Sequence, residues 1–207
     1  MKTSAWGFLV LLGLTAGCGD STGDGNVTRP PGQLNFILLS RAAPALCDSS
    51  VSFWAVKNGP TDAEGALEFP EDGVNCGGSR EDFVRLKIKK ESLLLYPDGT
   101  PFQNLDSVLV TLTWVGSDTI MFHLEPTGLV FDPAHPAELT IEYDHTNGDL
   151  DDDGDVDPDD ARIEQIMGLW RQPTLADPFT RIGSVKFEDL DEIEAKLNGF
   201  SRYAIAY

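Results

Sequence analysis

The amino-acid sequence predicts a mainly β protein, an antiparallel β-sandwich with one or two short helices. Short apolar stretches alternate with polar residues at a period of two, which is the period of a strand with one buried face. Turn-forming residues separate these stretches, as in YPDGT at 96–100. The chain lacks the regular succession of strands and helices that is typical of parallel sheets. These three observations together favour a sandwich.

The elements are expected in the following order along the chain. Strands are predicted at 35–39, 51–56, 84–89, 108–114, 120–124, 139–143 and 203–207. Residues 63–80 are rich in Gly, Asp and Glu and are expected to form a long loop. A helix is expected near the end of the chain, because Leu190, Ile193 and Leu197 have helical spacing and Asn198-Gly199 could terminate it. Residues 34–207 are predicted to form a single domain.

The composition excludes several functional classes. The 207 residues include 34 acidic and 15 basic ones, which gives a formal net charge of −19 at pH 7. Nucleic acid is therefore not an expected partner, because phosphate binding requires a clustered basic surface. Electrostatic adsorption to anionic lipid is disfavoured for the same reason. With 3 His and 3 Cys, the chain has few residues for imidazole catalysis or a thiolate zinc site.

The first residues have the pattern of a secretory signal peptide, predicted at 1–17. Lys2 precedes a short apolar stretch, and small residues follow it. The sequence LTAGC, which ends at Cys18, resembles the lipobox of bacterial lipoproteins. This resemblance implies a lipidated Cys18 and a protein anchored to a membrane of the bacterial cell envelope, on the extracytoplasmic side. Ordinary secretion with cleavage near Ala16 is the alternative, and residues 18–33 are expected to be a flexible tether.

The remaining cysteines are expected to form a disulfide. If lipid occupies Cys18, Cys47 and Cys76 are left as an even pair in an oxidising compartment. Two free buried thiols are the alternative. A redox-active site is not expected, because the sequence contains no Cys-x-x-Cys.

The sharpest sequence pattern is DLDDDGDVDPDD at residues 149–160. Acidic residues occupy alternating places around Gly154, where the chain must turn sharply, and such a density of hard oxygen atoms selects Ca²⁺ over softer metals. The pattern resembles the twelve-residue calcium loop of EF-hands, and this resemblance implies the following ligands: Asp149, Asp151, Asp153, Asp155 (through its backbone carbonyl), Asp157 and Asp160. The alternative is a solvated acidic stretch in a surface loop.

This pattern resembles the calcium loop of EF-hands, with Gly154 at the sixth position and Val156 at the eighth, where an apolar residue usually packs against a neighbouring loop. A strand is expected before the loop, and Asp157-Pro158 is expected to begin a short helix after it. The loop followed by a helix, inserted at 147–168, is similar to one calcium hand of bacterial dockerin modules. Dockerins carry two hands, and this sequence has one. A dockerin-like module that recruits envelope or carbohydrate-active partners is the alternative function.

The sandwich itself resembles the ZU domain of ankyrins and netrin receptors, an Ig-like fold. The matching segments are 122–131, 136–141, 169–171 and 199–204. The resemblance implies a sandwich from about residue 84 to 207 that contains the calcium loop as an insertion. Some relatives cleave themselves at Phe-Ser with the help of an adjacent histidine. Because Gly199 stands at that histidine position beside Phe200-Ser201, cleavage is not expected here.

The expected function is therefore that of a calcium-binding, lipid-anchored envelope protein with a structural or binding role. It is not expected to be an enzyme, since none of the common catalytic motifs is present. A protein or glycan partner is possible but unidentified. Four aromatic residues could form a sugar-binding platform or belong to the core: Trp54, Trp114, Phe131 and Trp170.

Overall fold

The computed structural model describes residues 27–146, 148–151 and 153–207. The signal peptide predicted at 1–17 and the lipidated Cys18 lie outside these residues. Among the described residues, no helix combines the length and the apolar character that a membrane crossing requires.

Two antiparallel sheets pack against each other, which confirms the predicted β-sandwich. The first sheet contains, in spatial order, β1 (Thr28–Arg29), β11 (Phe179–Arg181), β10 (Gly168–Gln172), β14 (Arg202–Ala206), β7 (Met121–Glu125), β6 (Ser107–Trp114) and β2 (Ser50–Val56). The second contains β12 (Ser184–Phe187), β13 (Glu192–Leu197), β9 (Ala137–Glu142), β4 (Arg80–Ile88) and β3 (Ala63–Pro70). A small third sheet pairs β5 (Leu93–Leu95) with β8 (Val130–Phe131).

The helical content is small. One α-helix, α1 (Pro158–Ile166), lies between β9 and β10. Short 3₁₀ helices occur at Pro31–Gln33, Asp144–Thr146 and Glu188–Leu190.

The core forms where the inner faces of the two large sheets meet. Val110 and Leu112 of β6 are buried, whereas their neighbours Leu109 and Thr111 are not, as the period of two predicted. The ring of Phe83 on β4 contacts that of Phe122 on β7 edge to face, with 5.3 Å between centroids. Because β4 and β7 belong to different sheets, this aromatic pair joins the two layers.

The helix predicted around Leu190–Leu197 is wrong, because this segment forms strand β13. β13 pairs with β9 on one side and β12 on the other. Its Ile193, Ala195 and Leu197 are buried, and the charged residues between them lie on the outer face. The period is therefore two, and Asn198-Gly199 leads from β13 towards β14 instead of ending a helix.

Three other expectations need correction at their boundaries. Residues 63–70 form strand β3, which pairs antiparallel with β4 and has a register shift between Leu67 and Glu68, so the predicted loop at 63–80 is reduced to 71–79. Residues 35–39 make only isolated bridges, Phe36 with Ala206 and Leu38 with Thr119, and no continuous strand. β1 pairs with β11 inside the segment predicted as a tether, so the sheet begins before residue 33.

The disulfide between Cys47 and Cys76 is present, as predicted. Its Cα atoms are 5.4 Å apart, and 29 positions separate the two residues in the sequence. The Cys47 backbone N–H donates to the Glu68 carbonyl on β3 at 2.9 Å. The disulfide therefore connects the segment before β2 to the loop that joins β3 and β4.

Replacing both cysteines by serine (Cys47→Ser with Cys76→Ser) is expected to lower the free energy of unfolding by about 3–4 kcal/mol, because the cross-link restricts a loop of this length in the unfolded chain. Urea unfolding of the oxidised protein and the double variant measures the difference. Reduction of the original protein should give the same loss. Coincident unfolding curves for all three samples would contradict this expectation.

Candidate metal centre

The acidic loop is held between two short elements. β9 and the 3₁₀ helix Asp144–Thr146 precede it, and α1 follows it. Asp157 is the N-cap of α1 and forms a reciprocal capping box with Asp160, while Pro158 is the first helical residue. The strand before the loop and the helix that starts at Asp157-Pro158 were both predicted.

Three of the predicted ligands lie together. Carboxylate oxygens of Asp149, Asp151 and Asp153 lie within 4.8 Å of one another. The turn that follows them needs glycine, because Gly154 has a φ of +105°. The Gly154 N–H donates to Asp149 Oδ2 at 3.1 Å, and the Asp153 N–H donates to Asp149 Oδ1 at 3.2 Å. The backbone thus wraps around the first carboxylate of the loop.

The other three predicted ligands are placed differently. The side chains of Asp155, Asp157 and Asp160 are not part of this carboxylate group among the described residues. Both Asp160 oxygens accept backbone N–H groups, from Leu150 at 2.6 Å and from Asp157 at 2.8 Å. Asp160 is 3% exposed and thereby joins the beginning of the loop to the beginning of the helix.

The pKa values show that the loop is crowded with negative charge. Desolvation within the loop raises the pKa of Asp151, and the charge of the neighbouring Asp153 contributes to this shift. The charge of Asp153 is also the main cause that raises the pKa of Asp155. In contrast, the backbone N–H of Asp157, followed by that of Leu150, lowers the pKa of Asp160. Asp160 is therefore a stable anion beside carboxylates that repel one another.

Apolar side chains anchor the loop and its helix to the sandwich. Leu150, Ile163 and Met167 are buried and belong to the main core. A shallow cavity of about 290 Å³ lies between the loop and residues 38–41 and is lined by Asp149 and Asp153. Val156, expected to pack against a neighbouring loop, is 67% exposed. The buried apolar side chains thus attach the insertion to the core of the sandwich, and its acidic side remains accessible to solvent.

A second cluster of titratable side chains lies close to the start of the acidic loop, and the sequence did not predict it. Glu81 on β4 meets Asp144 and His145, with ligand-type atoms within 4.8 Å of one another. His145 Nε2 and Glu81 Oε1 form a hydrogen bond of 2.9 Å, and the His145 ring packs edge to face on Phe69. Only the packing of β4 beside the end of β9 brings these residues together, so no local sequence signal could reveal them.

The structure also shows where the serine considered for self-cleavage and the aromatic residues considered for sugar binding lie. Ser201 is fully buried, and its hydroxyl accepts the Arg171 Nε–H at 2.8 Å. Trp170 and Phe131 are core residues, and Trp114 donates its indole N–H to the Thr119 carbonyl. Trp54 is 62% exposed. The four aromatic residues therefore do not share one exposed platform.

The pH dependence of stability is expected to reflect Glu142 at the end of β9. Burial raises the pKa of Glu142 to about 7 from 4.5, and the charges of Asp144 and Asp82 contribute. The folded state thus holds a proton that the unfolded state releases, so the free energy of unfolding should fall as pH rises from about 5 to about 8. In calcium-free urea unfolding, Glu142→Gln should flatten this fall, and Glu125→Gln at an exposed position should not. An equally steep fall in Glu142→Gln would contradict the assignment.

The acidic loop lies between strand β9 and the capped helix α1. These features agree with the expected order of elements. The resemblances to EF-hands, dockerins and ZU domains stay predictions. No protein-family model matches the chain, and neither a curated protein nor a solved structure matches it.

Proposed function

We propose that this protein binds Ca²⁺ at the loop 149–160 and that the ion stabilises a β-sandwich anchored by lipid to the bacterial cell envelope. The observation that carries the calcium proposal is the convergence of the Asp149, Asp151 and Asp153 carboxylates around the turn at Gly154. The role is structural or binding and not catalytic.

The chemistry of the loop suits a hard divalent cation. Ca²⁺ takes six to eight oxygen ligands from carboxylates, backbone carbonyls and water. Asp149, Asp151 and Asp153 would supply carboxylate oxygens, Asp155 its carbonyl and Asp157 a direct or water-mediated contact. Asp160 would close the site from the base of the loop. A bound cation would also offset the charge of Asp153, which is the main cause that raises the pKa of Asp155 and a lesser cause, after desolvation, that raises the pKa of Asp151.

The attachment of the loop to the core supports a stabilising role. Because Leu150 and Ile163 are core residues on either side of the acidic turn, ordering the turn restrains chain that packs on the sandwich. Extracellular modules commonly bind Ca²⁺ with Kd values of about 10⁻⁴–10⁻³ M. Free Ca²⁺ at ten times Kd would add about 1.4 kcal/mol to the free energy of unfolding.

Calcium at saturating millimolar concentration is expected to raise Tm by roughly 3–6 °C, and a chelator should reverse this shift. The double variant Asp149→Ala with Asp153→Ala removes two converging carboxylates and should lose both the shift and the heat of calcium binding. Calorimetric titration and differential scanning calorimetry measure these effects.

Asp155→Ala is the matched control, because it removes an acidic side chain from the same loop and keeps the backbone carbonyl that would bind the ion. It should retain the calcium response. Absence of calcium binding by the original protein at millimolar concentration, or equal binding by the double variant, would refute the calcium proposal.

The lipid anchor is tested separately. Cys18→Ser should abolish incorporation of radiolabelled palmitate and shift the protein from the membrane fraction to the soluble fraction, because its thiol is the proposed site of diacylglycerol attachment. Cys47→Ser is the control and should remain labelled. Labelling of the Cys18→Ser variant, or an unlabelled original protein with an unmodified N-terminus, would contradict lipidation.

A dockerin-like interaction module is the second candidate. The exposed side chains of Val156 and Ile166 favour it, because they leave apolar surface on the loop and on α1. Calcium-dependent capture of an envelope or carbohydrate-active protein, lost in the Asp149→Ala, Asp153→Ala variant, would favour this function over a purely stabilising one.

A further inference from the structure

Three of the four strands at the edges of the two large sheets carry a feature that protects them from pairing with another chain. Proteins protect such edges by short length, bulges, proline or inward-pointing charge. Among the described residues, β1 has two residues, and β12 has four with the Lys186 side chain only 15% exposed. β3 has a register shift between Leu67 and Glu68 and ends at Pro70, and its Glu68 carbonyl already accepts the Cys47 N–H.

β2, the fourth edge strand, has none of these features. Its seven residues have the sequence SVSFWAV, which contains no charged residue and no proline. Its pairing with β6 is regular from Ser50 to Val56. On its inner face the ring of Phe53 lies against Gly65 of β3, where a Cβ would collide with the ring. β2 is thus a regular strand, packed on the sandwich, whose second edge is unprotected.

The hydrogen-bond phase of the β2–β6 ladder decides which backbone groups of β2 point to the free edge. The Ser49 carbonyl accepts the Trp114 N–H at 2.9 Å. Because hydrogen-bonded positions alternate along an antiparallel pair, the odd-numbered residues of β2 bond to β6. The outward N–H and C=O groups therefore belong to the even-numbered residues, which are Ser50, Ser52, Trp54 and Val56.

Most of these outward groups have no backbone partner. Within the described part of the chain, no backbone hydrogen bond outside the ladder involves Ser50, Ser52 or Trp54, whereas the Val56 carbonyl accepts the Gly59 N–H at 3.1 Å. The side chains of Ser50, Ser52 and Trp54 are exposed on the outer face of the sheet. The edge is therefore open to an added strand.

The composition of β2 indicates which strand fits this edge. With a net charge of −19, two copies of this protein repel each other at most surfaces. In contrast, neither β2 nor the neighbouring β6 contains a charged residue. β2 is also rich in valine and aromatic residues, which favour strands. Residues 18–26, which precede the described part of the chain, are instead rich in Gly and Asp, which are depleted in strands.

We propose that β2 pairs antiparallel with β2 of a second copy, about a two-fold axis at Phe53, and joins the two seven-stranded sheets into one. This register uses the whole strand. It places Ser52 opposite Trp54 of the other copy and Ser50 opposite Val56, and each of these pairs exchanges N–H to C=O hydrogen bonds. No charged residue is brought opposite another within the paired strands.

The same register covers the exposed tryptophan of the strand. Trp54 is 62% exposed, and Leu109, its direct neighbour on β6, is 45% exposed. In the paired dimer the two Trp54 side chains are diagonal neighbours on one face, roughly 7–8 Å apart, which is within reach of aromatic side chains. Each indole ring then shields the other and the adjacent leucine from water.

Sedimentation equilibrium tests this pairing on the secreted chain with Cys18→Ser, which removes the proposed lipid and changes no described residue. The buffer is free of calcium, so the result is independent of the calcium proposal, whose ligands lie outside β2. The protein should follow a monomer–dimer equilibrium with a Kd below about 0.1 mM. Raising KCl from about 0.05 M to about 0.5 M should strengthen the dimer, because salt screens the repulsion between two acidic molecules.

Ser52→Pro and Trp54→Glu should each raise the dimer Kd about tenfold or more. Proline removes an outward N–H that takes no part in the β2–β6 ladder, and glutamate places like charges at the diagonal positions. Ser117→Glu adds the same charge at an exposed bend between β6 and β7 and should leave the Kd unchanged. Circular dichroism checks that each variant is folded, and Trp54→Glu carries the test if Ser52→Pro unfolds.

Cysteine cross-linking tests the register. Ser52 and Trp54 face each other across the proposed pair at the Cα spacing of roughly 5.5 Å that suits a disulfide. A mixture of Ser52→Cys and Trp54→Cys chains should therefore form linked dimers faster than either chain alone. The proposal is overturned if the protein is monomeric at about 0.2 mM, as expected if another protein's peptide or residues 18–26 cover β2. Unchanged Kd values in the folded variants, or no preference for the mixed cross-link, would also overturn it.

Discussion

Repulsion among carboxylates is the constraint on which the arrangement of this protein depends. With a net charge of −19, folding brings acidic residues close together wherever strands or loops converge. Glu142 illustrates how such crowding disfavours the ionised carboxylate, because burial and acidic neighbours raise its pKa to about 7. Surface pairs such as Lys89 with Glu138 compensate only locally, and exposed pairs of this kind contribute little stability. The acidic loop is the densest case, and there no lysine or arginine forms an ion pair with Asp149, Asp151 or Asp153 among the described residues.

The loop differs from an independent module in how it is attached. A separate calcium-binding domain would have its own core, whereas Leu150, Ile163 and Met167 contribute to the core of the sandwich. Asp160 connects the two ends of the acidic turn through backbone N–H groups and stays ionised because these bonds lower its pKa. The two ends of the loop are therefore fixed to the sandwich, whereas the carboxylates of its turn lie close to one another. A cation bound at the proposed site would therefore act on the stability of the whole domain rather than on a hinge.

The sequence predicted best what depends on neighbouring residues. The acidic turn and the start of α1 are local, since the carboxylates, Gly154 and the Asp157 cap lie within one short segment. The error at Leu190–Leu197 has a physical reason. Ile193 and Leu197 are four positions apart, which fits both a helix and one face of a strand, and the small Ala195 between them gave little apolar signal. β3 was missed for a similar reason, because small and charged residues predominate in its first half.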